Sequence, residues 1–131
     1  SIDMATTYNI VYKNHCTPQE QRDSGGRFYL DSDCGRKLTG VGEVSVSANG
    51  SYSAETSVSA TPTDVITSKD FVFVKNTGKT DVVISLTSDS PSEYLIKLST
   101  GESFASKIST SASVRVKTLS STSTIEYFYS T

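Results

Sequence analysis

The sequence predicts an all-β fold, and three observations predict it. From Val41 onward apolar residues alternate with polar ones at a period of two. Clusters of turn-forming residues break the chain about every 8 to 12 residues, as in a sandwich or barrel. No stretch carries a sustained apolar repeat of helix length. The fold expected is a β-sandwich, with the jelly roll among its types, carrying an irregular N-terminal arm.

Residues 1–40 are read as that arm and 41–131 as the body. The arm is rich in charge and turn formers, as in Lys13-Asn14-His15-Cys16-Thr17-Pro18 and Asp31-Ser32-Asp33-Cys34-Gly35, and only Tyr8–Tyr12 and Arg27–Leu30 read as strands. Thr17-Pro18 could open one helical turn, with Thr17 as N-cap, but nothing apolar follows to hold it. In the body, Val44–Ala48 and Tyr52–Ala60 alternate small apolar residues with Ser, and Asn49-Gly50 between them suits a type I′ hairpin. Thr61-Pro62-Thr63-Asp64 reads as a turn, followed by the most apolar strand, Phe71–Val74. Asp81–Leu86 puts Val82, Ile84 and Leu86 on one face. Tyr94–Leu98, Phe104–Ile108, Ser113–Lys117 and Ile125–Tyr129 complete the series.

At 131 residues the chain fits one domain that folds without staples. Apolar residues are 35% of it, and 41 residues are Ser or Thr, a composition suited to sheets with one packed and one wet face. A net charge of −2 favours neither nucleic acid nor an anionic membrane as a partner. The longest apolar run is far shorter than the roughly 20 residues of a membrane-spanning helix. Residues 1–6 show no secretory signal; Met4-Ala5 reads as a natural start and Ser1–Asp3 as a remnant ahead of it. The expected place of synthesis is the cytoplasm.

Catalysis needs a group that titrates near neutrality or an activated nucleophile. The single histidine, His15, adjoins Cys16, and neighbours on an extended chain point to opposite sides. Cys16 and Cys34 leave three alternatives open: two ordinary thiols, a disulfide, or part of a metal site. A bridge would contribute about 3 kcal/mol by loop entropy. Zinc usually takes four Cys or His ligands and three are present. Asp31-Ser32-Asp33 resembles the start of a calcium loop but has Gly42 where the closing Glu belongs, so it reads as a solvated turn. Glu43, Glu55, Glu93, Glu102 and Glu126 lie on or beside strands, and outward, solvated positions explain them. The lysines read as solvated faces and edge protection. No catalytic residue, cofactor site or metal site is assigned, and the chain is expected not to be an enzyme.

Candidate interface residues are the aromatic ones of the arm, Tyr8, Tyr12, Phe28 and Tyr29, with Tyr127 and Tyr129 of the last strand. The last two share one face and Phe128 takes the other; if Ile125, Tyr127 and Tyr129 face the core, that pair offers no docking surface, and the core is the favoured placement.

The stretch from Ile66 to Thr131 resembles small virion proteins of tailed bacteriophages. The resemblance rests on Asp70-Phe71-Val72-Phe73-Val74-Lys75-Asn76-Thr77-Gly78, Asp81–Leu86, Leu98-Ser99-Thr100-Gly101-Glu102-Ser103-Phe104 and Ile125–Tyr129. It covers about half the chain, and its motifs are turn chemistry shared by unrelated jelly rolls. It implies a non-enzymatic part of the virion: capsid decoration or cement, or a head or tail accessory. The partners implied are other virion proteins and further copies of the chain, a trimer by analogy. The alternative is a carbohydrate- or host-surface-binding module, and a third class is an adhesin-like domain of a cell.

Overall fold

The computed structural model describes residues 8–17, 20–22, 27–29, 38–46, 50–87, 94–109 and 111–130. Their regular structure is all strand: β1 Tyr8–Cys16, β2 Glu20–Arg22, β3 Arg27–Tyr29, β4 Leu38–Val46, β5 Ser51–Val58, β6 Thr63–Thr67, β7 Phe71–Asn76, β8 Val82–Ser85, β9 Ile96–Leu98, β10 Ser103–Lys107, β11 Ser113–Thr118 and β12 Ser123–Ser130. Residues 10–43 form one compact unit, and residues 1–9 with 44–131 form the other.

The larger unit is a β-sandwich of two four-stranded sheets, ordered β10-β7-β12-β5 and β6-β11-β8-β9. Every pairing in both sheets is antiparallel. The pairing is nested: β5 with β12, β6 with β11, β7 with β10 and β8 with β9. The chain therefore doubles back on itself around the β8–β9 connection. The doubled ribbon then closes through β7–β12 and β8–β11.

The core follows from period-two patterning. Val72 and Val74 of β7, Val82 and Ile84 of β8, Val114 and Val116 of β11, and Ile125 of β12 turn inward and are fully buried. Ile66, Val58 and Leu98 close the cluster. On the opposite face of the second sheet, Lys117, Val83 and Lys97 form one cross-strand row. The next row sets Asp64 opposite Arg115, at 3.5 Å, and Arg115 opposite Ser85.

Two sequence expectations are corrected here. Asn49 lies outside the described residues, but the strands expected to pair across the Asn49-Gly50 hairpin, Val44–Ala48 and Tyr52–Ala60, take other neighbours: β4 pairs with β1, and β5 with β12. The dipeptide signals a turn only locally, whereas β5 seats Val58 in the core by lying beside β12. The turn read at Thr61–Asp64 ends early, because Thr63 and Asp64 already belong to β6. Pro62 and Asp64 look like turn formers in isolation. Next to β11 the strand is held by the Asp64–Arg115 pair and by buried Ile66.

The smaller unit contains most of the β1–β4 ribbon and the β2–β3 pair, Glu20–Arg22 against Arg27–Tyr29. Its strands are longer than the sequence suggests: β1 runs to Cys16, and β4 crosses the boundary expected near residue 40. Two contacts set the ribbon's register. Ser45 donates to the Asn9 side chain at 3.0 Å, and the Tyr12 ring lies over Gly42, in the space a Cβ would take. Residue numbers rising on β1 while falling on β4 make the pair antiparallel. A side chain at residue 42 would displace the far end of the Tyr12 ring. Pro18 and Gln19, the Asp31–Asp33 turn and Cys34 lie outside the described residues.

Candidate functional site

The residues expected to mediate contacts fall in two places. Tyr8 and Tyr12 lie on β1, and Phe28 and Tyr29 lie on β3. The side chains of Tyr8, Phe28 and Tyr29 lie outside the description. Tyr12 is half-buried, with its ring spread on Gly42, where glycine leaves room for a flat cross-strand contact.

Tyr127 and Tyr129 turn to the inner side of their sheet and pack, half-buried, against the core. The reason is register. Opposite them on the edge strand β5 stand Ser53 and Ser51, and on β7 stand Val74 and Val72. The small serines leave space for two large rings. Those rings lie nearly parallel with centroids 6.3 Å apart, and the Lys69 ammonium sits 5.3 Å from the Tyr129 centroid. The tyrosine pair is therefore part of the packing and presents no flat, open docking face.

The outer side of the same sheet is where sequence reading placed nothing. Phe128 stands opposite Phe73 and Tyr52, and its ring meets Phe71 at 6.4 Å between centroids. Gly50 lies against the edge of the Phe128 ring, where a Cβ would come within 2.9 Å of the ring's Cζ and could not fit without a shift. Tyr52 is exposed and donates its hydroxyl to Glu126 at 2.5 Å. That hydrogen bond to a carboxylate pushes the Tyr52 hydroxyl above its ordinary pKa of 10.0, with desolvation and the Glu126 charge adding to it.

The two turn motifs that carry the virion resemblance meet at one side chain. Asn76, at the end of β7, is fully buried on the same side as Val72 and Val74. Its amide donates to the carbonyls of Thr80, at 2.8 Å, and Leu98, at 2.9 Å. Its oxygen accepts from Gly78 N–H at 3.0 Å and from the Ser123 hydroxyl at 2.8 Å. All four hydrogen-bonding positions of the amide are thus used. The backbones join as well: Gly101 donates to the Asn76 carbonyl, and the Thr100 hydroxyl donates to the Gly78 carbonyl, both at 2.7 Å. Gly101 takes a positive φ of 85°, which glycine adopts at little cost. The Lys-Asn-x-Gly and Leu-x-x-Gly-Glu turns are two halves of one latch between the sheets.

Titratable groups lie dispersed. His15 and Cys16 are exposed at the end of β1, with the Thr17 hydroxyl 3.5 Å from the imidazole. Of the sequence-flagged acids, Glu43, Glu55 and Glu102 are exposed; Glu102 accepts from Ser99 N–H and Glu126 from Tyr52. Among the described residues no three His, Cys, Asp or Glu side chains stand together as metal ligands. Among them, too, no helix is long and apolar enough to cross a membrane.

Large apolar side chains do reach the surface. Val11, Leu38 and Val41 of the ribbon are 55%, 48% and 70% exposed. Their β-branched and aliphatic character suits a strand, and their exposure suits contact with something outside the unit. Comparison with family models, curated proteins and solved structures finds no match to this chain.

Proposed function

We propose that this chain is a non-enzymatic structural protein of a phage particle, a capsid decoration or cement protein or a head or tail accessory. The observation that carries the reading is the nested strand pairing. We read the first-with-last pairing of eight strands over two four-stranded sheets as jelly-roll-like, and jelly rolls recur in viral capsid domains. The step from architecture to particle is an analogy, since one fold hosts many functions.

Two further features support it. The body is closed by side-chain packing and by the Asn76 latch, with its inward tyrosines spent on stability. Large apolar side chains are exposed in both units, Val11, Leu38 and Val41 in residues 10–43 and Tyr52, Leu95 and Leu119 in the larger one. A packed body together with exposed apolar side chains suits a protein that docks many times on a symmetric particle, where weak contacts add through repetition. The partners in this reading are other virion proteins and further copies of the chain.

The test is location. An antiserum raised against the purified chain should label intact phage particles from the source culture in negative-stain electron microscopy, at regularly repeated positions. Antigen found only in the soluble fraction, with bare particles, would overturn the proposal.

A further inference from the structure

The ribbon's outward face has a pattern that its exposure alone does not explain. Tyr12 and Gly42 share one face of the ribbon, so by strand alternation Val11 and Lys13 of β1 lie on the other, with Val41 and Glu43 of β4. All four are exposed. The Asn9–Ser45 hydrogen bond and the Tyr12–Gly42 contact fit one antiparallel register, in which Val11 stands beside Glu43 and Lys13 beside Val41. The four side chains form a small rectangle, with the valines on one diagonal and the two opposite charges on the other.

We propose that this Val11–Val41 face is a self-docking surface on which a second copy of the same chain packs about a two-fold axis. The proposal rests on the assembly reading above and deepens it by naming the ribbon's partner. An axis along the valine diagonal sets Val11 on its own counterpart and Val41 on its own. The same operation brings each Lys13 against the Glu43 of the other copy. The strands then cross near a right angle, one of the two ways sheets pack face to face. No other in-plane two-fold through the rectangle satisfies both sets: the axes along or across the strands put each valine on a charge, and the second diagonal puts Lys13 on Lys13. The pattern is therefore self-complementary in one orientation, as an isologous contact requires. A two-stranded ribbon is also marginal in water on its own, and a second ribbon laid over Val11 and Val41 would bury both.

The experiment is light scattering and sedimentation on the full chain across the micromolar range. The expected result is a monomer–dimer equilibrium. Val41→Asp should raise the dimer dissociation constant about tenfold or more, and Lys13→Glu should weaken it several-fold, by about the loss of two ion pairs and the gain of two repulsions. Combining Lys13→Glu with Glu43→Lys should return it toward the parent value. Because all three positions are exposed, circular dichroism, and the unfolding midpoint at concentrations where the parent is monomeric, should stay unchanged, which separates lost docking from lost folding. A chain that stays monomeric throughout the range overturns the proposal. So does a dimer or larger ring whose mass ignores Val41→Asp. A monomer that still decorates particles removes this inference and leaves the virion reading in place; a Val41-dependent dimer absent from particles does the reverse.

Discussion

At the scale of single residues, Asn76 shows how a polar side chain in an apolar position holds the fold together. It follows Val72 and Val74 on the inward face of β7, where burial without partners would be costly. Its four hydrogen bonds remove that cost and tie β7 to the carbonyl of Leu98 in the facing sheet. Asn76→Ala leaves two carbonyls, an N–H and a hydroxyl without their partner. It should destabilise the chain by about 3 kcal/mol, read as a lower urea midpoint at unchanged slope. A loss below about 1 kcal/mol would mean that water replaces the amide. The Asn-x-Gly spacing was visible in the sequence, as was its shared parity with the valines. That it would grip a second turn more than twenty residues away was not, because no local preference encodes that meeting.

Tyr52 carries a second residue-scale consequence, in pH. Its hydroxyl donates to Glu126, and this raises its pKa above 10.0 in the folded chain. A raised folded-state pKa means that the stabilisation is fully present below pH 10 and is lost as pH climbs through the folded value. In a spectrophotometric titration Tyr52 should ionise after an unperturbed tyrosine, and Glu126→Gln should bring it back toward the ordinary value. If Glu126→Gln leaves the titration unmoved, the hydrogen bond is not what holds the proton. Because Tyr52 is exposed, this contact tunes the alkaline limb of stability and does not determine the fold.

At the scale of elements, the strands with strict alternation were read nearly where they stand. Phe71–Val74, Asp81–Leu86, Ser113–Lys117 and Ile125–Tyr129 each overlap a strand whose inward residues are the alternating ones. Reading went astray where turn chemistry and pairing choice separate. Asn49-Gly50 has the residues of a tight hairpin, yet its flanking strands find β1 and β12 as neighbours. Hairpin propensity is worth little beside the burial gained when β5 completes a four-stranded sheet. Asp64 disguised the start of β6, because an acidic residue next to a proline resembles a turn until Arg115 stands opposite it. Tyr127 and Tyr129 were placed by parity alone; their room comes from Ser51 and Ser53, whose smallness had no evident purpose until β5 was seen beside β12.

At the scale of the whole molecule, nested pairing has a kinetic cost. Ser51 pairs with Tyr129, so this contact closes a loop of 78 residues (129 − 51). Non-local pairing of this kind must overcome loop-closure entropy before the core repays it, which places such folds in the slow class. Refolding from denaturant, followed by stopped-flow fluorescence, should take milliseconds to seconds, in line with sandwiches of high contact order. Refolding in microseconds would show that the outer pairs β5–β12 and β6–β11 form after the rate-limiting step. Slow closure also exposes strand edges for longer, and the charged residues along β6, β9 and β10 are well placed to discourage pairing between chains.

By itself, then, the sequence determined the all-β class, the inward residues of the strictly alternating strands and the turns at Asn76-Thr77-Gly78 and Ser99–Glu102, because alternation and turn geometry act over a few residues. Which strands became neighbours was decided only by the tertiary structure. The same alternating pattern fits many partners, and the choice falls to the packing that buries apolar surface while bonding inner polar groups such as the Asn76 amide. The separate ribbon, with Tyr12 laid over Gly42 and two valines turned outward, also emerged only there. A valine's sequence position tells that it belongs on a strand; it takes the fold to show that Val11 and Val41 stay largely exposed.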